Sequence, residues 1–230
     1  MRAFCRPALL SATALVLCSA LPAVAQDKFK QGPGNTYFVS CLTDSSGTFS
    51  GSKNERSEVS HSPDGSTLAY TETVATYSQE CRNSSDLYLK TQDKTNYKLV
   101  FQRTGTSGEM GNGIRIVAWS KNSGFLLFEV LKWQYGSDAP AENEMWVYNV
   151  RTGSCAQLQI NELREVFGAG CLVDIEPIGF VSDDVVGLQV LARQYYEPEG
   201  DMRKPECLEK QGTWYYDLNS NEITPPQGNN

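Results

Sequence analysis

The stretch Val59-Ser60-His61-Ser62-Pro63-Asp64-Gly65-Ser66-Thr67-Leu68-Ala69-Tyr70-Thr71 decides how this chain is to be read. Two short runs fit for strands flank Ser-Pro-Asp-Gly, a turn in which Pro63 pre-sets φ at about −65° and Gly65 accepts the positive φ of a tight reversal. Asp86-Leu87-Tyr88-Leu89, a turn at residues 93–96 and Tyr97-Lys98-Leu99-Val100-Phe101 then add a second hairpin. The same order returns downstream. Ile116-Val117-Ala118-Trp119-Ser120, a turn at 121–124 and Phe125-Leu126-Leu127-Phe128-Glu129-Val130 lead to Met145-Trp146-Val147-Tyr148, the turn Arg151-Thr152-Gly153 and a strand near 156–158. Ser62 and Ser120 are 58 positions apart, as are Leu87 and Met145. One shift that superposes two landmarks is the mark of an internal repeat. A third unit runs from Ile178-Gly179-Phe180-Val181 through a turn at Ser182-Asp183-Asp184 and residues 185–191 to Thr213-Trp214-Tyr215-Tyr216-Asp217, Asn219-Ser220-Asn221 and Glu222-Ile223-Thr224.

Each unit reads as a four-stranded antiparallel meander. The second strand of each is apolar without interruption rather than alternating, which predicts that both of its faces are covered. One such sheet cannot bury its faces alone, so neighbours must stack, as in a propeller. The expected fold class is therefore all-β: antiparallel four-stranded meander repeats forming a partial or small β-propeller. Residues 57–224 hold three units, 26–56 an N-terminal segment with a partial blade, and 225–230 a disordered tail. Asn35-Thr36-Tyr37-Phe38-Val39-Ser40-Cys41-Leu42, followed by Ser45-Ser46-Gly47, resembles the outer half of a blade. About three and a half blades fall short of the usual 4–8. The ring stays open, closes by dimerising or with a partner, or closes as four diverged blades. Residues 161–169 read as a short helix. Polar insertions at 77–85, 135–143 and 196–211 fall between second and third strands, so in a propeller they project from one face.

Ser62-Pro63-Asp64-Gly65, followed by Leu68-Ala69-Tyr70 and Asp86-Leu87-Tyr88, resembles the repeat of TolB-type, WD40-like β-propellers. The unit with Trp119-Ser120 and Met145-Trp146-Val147-Tyr148 is similar, although it lacks the Pro-Asp pair. The resemblance covers roughly residues 57–224 and is carried by the first two units. It implies a propeller scaffold with a protein-binding role and brings no catalytic residues.

Residues 1–25 have the parts of a secretory signal: Arg2 and Arg6, an apolar stretch from Ala8 to Leu17, and Ala23-Val24-Ala25 before Gln26. The apolar run is shorter than the roughly 20 residues of a membrane span, so no membrane span and a periplasmic or extracellular location are expected. The remaining 205 residues would carry 18 basic and 27 acidic side chains, a net charge of −9. An acidic chain without a basic cluster excludes nucleic acid as a natural partner. Five cysteines remain: Cys41, Cys81, Cys155, Cys171 and Cys207. In an oxidising compartment they should mostly pair, and an odd count leaves one over. Cys171 with Cys207, both within the last unit, is the expected bridge.

His61, the single histidine, stands where Trp119 stands one repeat later, which favours packing over catalysis. Acids able to serve as a glycosidase pair are Asp183, Asp184, Glu176 and Glu129, with Glu197, Glu199 and Asp201 in the last insertion. Glu129 interrupts an apolar strand and is read as a solvent-facing edge acid. Glu197-Pro198-Glu199-Gly200-Asp201 clusters oxygen ligands but matches no calcium loop, so no metal and no cofactor are expected. Asn83-Ser84-Ser85 has the form of a glycosylation sequon. Trp133, Tyr135, Tyr195 and Tyr196 lie where strands enter the long insertions and are the expected binding residues, since exposed aromatics anchor interfaces. The reading is a binding protein without catalytic residues whose partner is another protein or a second copy. Its rivals are a glycoside-hydrolase-like enzyme using paired carboxylates and a self-associating envelope protein.

Overall fold

The structure is a computed structural model that describes residues 42–43, 47–48, 51–77, 81–105, 110–134, 142–168, 171–192, 196–197, 200–201 and 205–226. β1 (Leu42–Thr43) and β2 (Gly47–Thr48) pair as a small hairpin. In sheet I, β3 (Gly51–Arg56) and β4 (Ser60–His61) both pair with β5 (Thr67–Tyr77), followed by β6 (Cys81–Thr91) and β7 (Lys98–Thr104). Sheet II is a meander of β8 (Met110–Trp119), β9 (Phe125–Gln134), β10 (Glu142–Asn149) and β11 (Ser154–Gln157). Helix α1 (Asn161–Phe167) leads to sheet III, β12 (Val173–Phe180) and β13 (Val185–Ala192). The hairpin β14 (Tyr196–Glu197) and β15 (Gly200–Asp201) and helix α2 (Pro205–Leu208) precede β16 (Gly212–Asp217) and β17 (Ile223–Thr224), which complete that sheet. The fold is thus all-β, built on antiparallel four-stranded meanders.

The repeat is visible in its hydrogen bonds. At the first turn of each sheet a serine hydroxyl donates to an Asx side chain two residues on: Ser62 to Asp64 at 2.7 Å, Ser120 to Asn122 at 2.8 Å and Ser182 to Asp184 at 3.1 Å. The backbone N–H groups of Gln92, Val150 and Leu218, from the second turns, donate to the carbonyls of Ser66, Gly124 and Asp184 at 2.8–2.9 Å. Each tip also hooks the next. Asp64 N–H donates to Ser123 Oγ at 3.1 Å, and Asn122 N–H donates to Asp183 Oδ1 at 2.8 Å. Gly65 takes the expected positive φ of +71°, but in the second turn Ser123 does so, with φ +60°. Gly124 is needed there for closeness, because a Cβ would lie 2.9 Å from Asn122 Oδ1.

Side chains alternate across a strand, and β9 uses both faces. Leu126, Phe128 and Val130 pack with Ala69, Leu87 and Leu89 of sheet I, whereas Leu127 packs with Val186, Leu188, Val190, Trp214 and Tyr216 of sheet III. Each such side chain contributes about 1.5–3 kcal/mol by burial, so sheet II, covered on both sides, is the middle of the core.

Several expectations change. Gly51–Arg56, placed by sequence in the N-terminal segment, joins sheet I along the far half of β5. Residues 81–85 are not an insertion but strand, paired back to Tyr77. Residues 142–143 begin β10, while 135–141 lie outside the described residues. Cys171 and Cys207 form the expected disulfide, with Cα atoms 5.7 Å apart, and α2 is thereby tied to the entry of sheet III. Cys155 keeps a thiol, which donates to the Val100 carbonyl at 3.7 Å and is pushed up to about 11 by burial. It is packed rather than reactive. Residues 1–41, with the expected signal segment and Cys41, and the last four residues lie outside the described residues.

The disulfide closes a loop of 36 residues, so Cys171→Ser with Cys207→Ser should cost about 4 kcal/mol in the chain-entropy account, read from urea unfolding. Leu127→Ala should cost about 2–5 kcal/mol by the same measurement, because its side chain is sealed between sheets II and III.

Candidate functional site

Glu129 sits in mid-β9 on the face turned to sheet III and is 1% exposed. It is not the solvent-facing acid expected, because sheet III covers that face. A bare carboxylate there would be costly, and local sequence supplies its partners. Arg115 is its register neighbour on β8 and donates through Nε to Glu129 Oε2 at 2.7 Å. Asn143 of β10 donates through Nδ2 to Glu129 Oε1 at 3.2 Å and to the Ile175 carbonyl of β12 at 2.9 Å. One amide therefore links the carboxylate to the backbone of the next sheet. Burial raises the Glu129 pKa above its ordinary 4.5, against the opposing pull of Arg115 and Asn143.

Glu144 points to the other face of sheet II. Arg103 of sheet I pairs with it, Lys132 lies 2.6 Å away, and Trp146 Nε1 donates to it at 3.2 Å. Burial pushes this carboxyl up, but Lys132, Trp146 and Arg103 outweigh it and hold the pKa below the ordinary value. A neutral cluster also crosses the I–II interface. Thr73 and Ser85 share a hydrogen bond of 2.9 Å, Ser85 Oγ donates to the Asn112 carbonyl at 3.0 Å, and Asn112 N–H donates to Asn83 Oδ1 at 2.8 Å. Asn83 is 3% exposed, so the sequon is a buried structural amide and no glycan acceptor. Where β11 ends, the Leu158 N–H still donates to Met145 O at 2.9 Å, and a polar cavity of about 330 Å³ opens between β10 and α1, lined by Asn143, Gln157, Gln159, Asn161 and Arg164.

The two end faces of the stack differ. On sheet I, Tyr70 is stacked on Tyr88 at 5.0 Å and meets Tyr97 edge-on at 4.7 Å, with the Arg56 guanidinium 3.4 Å above its ring. On sheet III the face turned away from sheet II carries Ile178, Val181 and Leu191, exposed by 54%, 52% and 47%. Ile178 and Val181 lie across Gly187, where a Cβ would come within 2.8 Å of Ile178. Half-buried Tyr215, next to Gly187 in register, and Glu176, Gln189 and Thr213 complete that face.

Of the four expected binding residues, Trp133 belongs to the far end of β9, opposite Gly111, and Tyr196 to β14, opposite Asp201. Tyr135 and Tyr195 lie outside the described residues, as does Glu199. His61 is exposed and does not take the packing role of Trp119, which is half-buried and donates from Nε1 to Ser60 Oγ at 3.0 Å. Asp183 and Asp184 serve the turns. Among the described residues no cluster of three His, Cys, Asp or Glu is placed to hold a metal. The run at 185–191 was expected to be covered on both faces, but among the described residues only sheet II covers it, and Leu191 is 47% exposed; Gly187 among apolar residues was the signal that something lies flat on the strand.

A carboxyl whose folded pKa exceeds its unfolded one contributes stability that is complete below the unfolded value and is lost as pH rises through the folded one. The urea midpoint should therefore fall above pH 4.5 in the wild type, and Glu129→Gln should remove that component of the pH dependence. Asn143→Ala should cost about 1–3 kcal/mol at neutral pH, because two buried acceptors lose their donor.

No family model and no curated protein matches the chain. Among solved structures, the apo form of AtxE2 isopeptidase is similar over 74% of this chain and 28% of its own, with a TM-score of 0.41 and 14% identity.

Proposed function

We propose that this chain is a β-propeller-like binding protein that works in the periplasm or outside the cell through protein–protein contacts. The observation that carries this reading is the apolar face of sheet III, where Ile178, Val181 and Leu191 are about half exposed. A stack of repeats needs polar outer faces to stay soluble, and a contiguous apolar patch marks an interaction surface. The resemblance to TolB-type repeats points the same way. The Cys171–Cys207 bridge suits an oxidising compartment, and no described helix is long and apolar enough to cross a membrane.

The glycosidase reading has less support. Glu129 is closed in by Arg115 and Asn143, and Asp183 is held by the turn that precedes β9. The strand from Phe125 to Glu129 alone spans about 13 Å at about 3.3 Å per residue, beyond the roughly 5–9.5 Å of a glycosidase pair.

The test is capture of proteins from an envelope extract, and of the chain itself, by immobilised residues 26–230, compared with the Ile178→Asp, Val181→Asp double variant. Saturable binding of one protein, weakened at least about tenfold in a variant of unchanged melting temperature, supports the reading. Equal capture by both proteins overturns it. Release of reducing sugar that is lost in Glu129→Gln would replace it with the hydrolase.

A further inference from the structure

The same packing step joins sheet I to II and II to III, and a third application would cover the bare face of sheet III. In each sheet a polar row crosses the side that the next sheet covers. Under sheet II this is Thr71, Thr73, Asn83 and Ser85, all buried; under sheet III it is Arg115, Glu129 and Asn143. Sheet III carries its own such row, Glu176, Gln189 and Thr213, joined in register, with Thr213 Oγ1 donating to Gln189 Oε1 at 3.4 Å. Among the described residues no sheet covers this row.

What fits over it follows from the repeat. Shifting by 58 positions carries Asn112 to Asn54, Ile114 to Arg56, Phe128 to Tyr70 and Trp146 to Tyr88. The first residue of each pair belongs to the side of sheet II that meets sheet I. The outer side of sheet I is thus built on the plan of a covered surface, with aromatic rings where sheet II has Phe128 and Trp146. Ile114 shares a buried cluster with Leu87, which lies in the row of Thr71. Its counterpart Arg56 would face the matching row of sheet III, which contains Glu176. A cation meets an acid there, and the tyrosine cluster meets Ile178, Val181 and Tyr215.

Building on the protein-contact reading above, we infer that the partner is a second copy of this chain, the exposed side of sheet III in each copy seating on the outer side of sheet I in the other. The two contacts are related by a two-fold axis and close on themselves, so the assembly stops at two chains. Three sheets from each copy give a ring of six, within the 4–8 of closed propellers. Sheet III against sheet III would bring Glu176 towards Glu176, which like-charge repulsion disfavours.

The experiment is sedimentation velocity of residues 26–230 over a concentration series. The wild type should be a dimer at about 10 μM. Glu176→Lys alone and Arg56→Glu alone should each raise the dissociation constant at least about tenfold. An equimolar mixture of the two variants should restore dimers, because at one contact the introduced base then meets the introduced acid and at the other the unaltered Arg56 meets the unaltered Glu176. Thermal unfolding of each variant shows whether it is folded. Arg56→Gln, which keeps a long side chain over Tyr70, should give a smaller loss if Arg56→Glu disturbs that ring. A wild type that stays monomeric to about 100 μM, a mixture that restores nothing, or a dimer indifferent to Arg56→Glu overturns the inference. If the monomer still captures a different protein through Ile178 and Val181, the contact reading stands and only the self-contact falls.

Discussion

Strand β9 must be covered on both faces, and most of the structure answers to that requirement. Leu126, Phe128 and Val130 point one way and Leu127 the other, so no single partner sheet could remove all of them from water. Apolar burial is the dominant favourable term in folding, and here it enforces a stack of at least three layers. Sheet I and sheet III each owe much of their own buried surface to sheet II. The turns then fix the alignment of the layers, since Asp64 hooks the second tip through Ser123 and Asn122 hooks the third through Asp183.

Apolar layers alone would slide, and the buried polar groups define where they stop. Asn143 reaches the Ile175 carbonyl only in one register, and Arg103 meets Glu144 only when sheets I and II are set as observed. Such pairs add little net stability, because desolvation takes back most of the Coulombic gain. Their effect here is geometric. Glu129 shows the balance most clearly, with its pKa raised by burial in spite of an adjacent guanidinium.

The stack ends unequally, and this sets the chemistry of its surface. Sheet I finishes in a tyrosine cluster roofed by Arg56, which covers apolar ring surface with a cation. Sheet III finishes in bare aliphatic side chains laid over a glycine. The two end faces thus differ in chemistry, one aromatic and cationic, the other aliphatic. The polar cavity beside α1, by contrast, lies where β11 stops short of the full length of β10.

Local sequence determined the repeat, the strand order within each meander and the places of the turns. These rest on neighbours a few residues apart or on a 58-residue period, and are therefore written in pattern; five cysteines suggested the Cys171–Cys207 bridge, but only the tertiary structure fixes the pairing. The uninterrupted apolar run of β9 also announced that both its faces would be covered. Which residues would do the covering was not legible. Glu129 became a buried acid only when sheet III closed over it, Asn83 a buried amide only when Asn112 arrived from the next sheet, and Gly51–Arg56 a strand only when β5 offered an unpaired edge. Leu191, in a run that predicted cover on both faces, lies exposed together with Ile178 because the described stack has no fourth sheet to meet them. Turn and strand preferences are local free energies, whereas burial depends on which surfaces meet across the tertiary structure, and only the assembled sheets decide that.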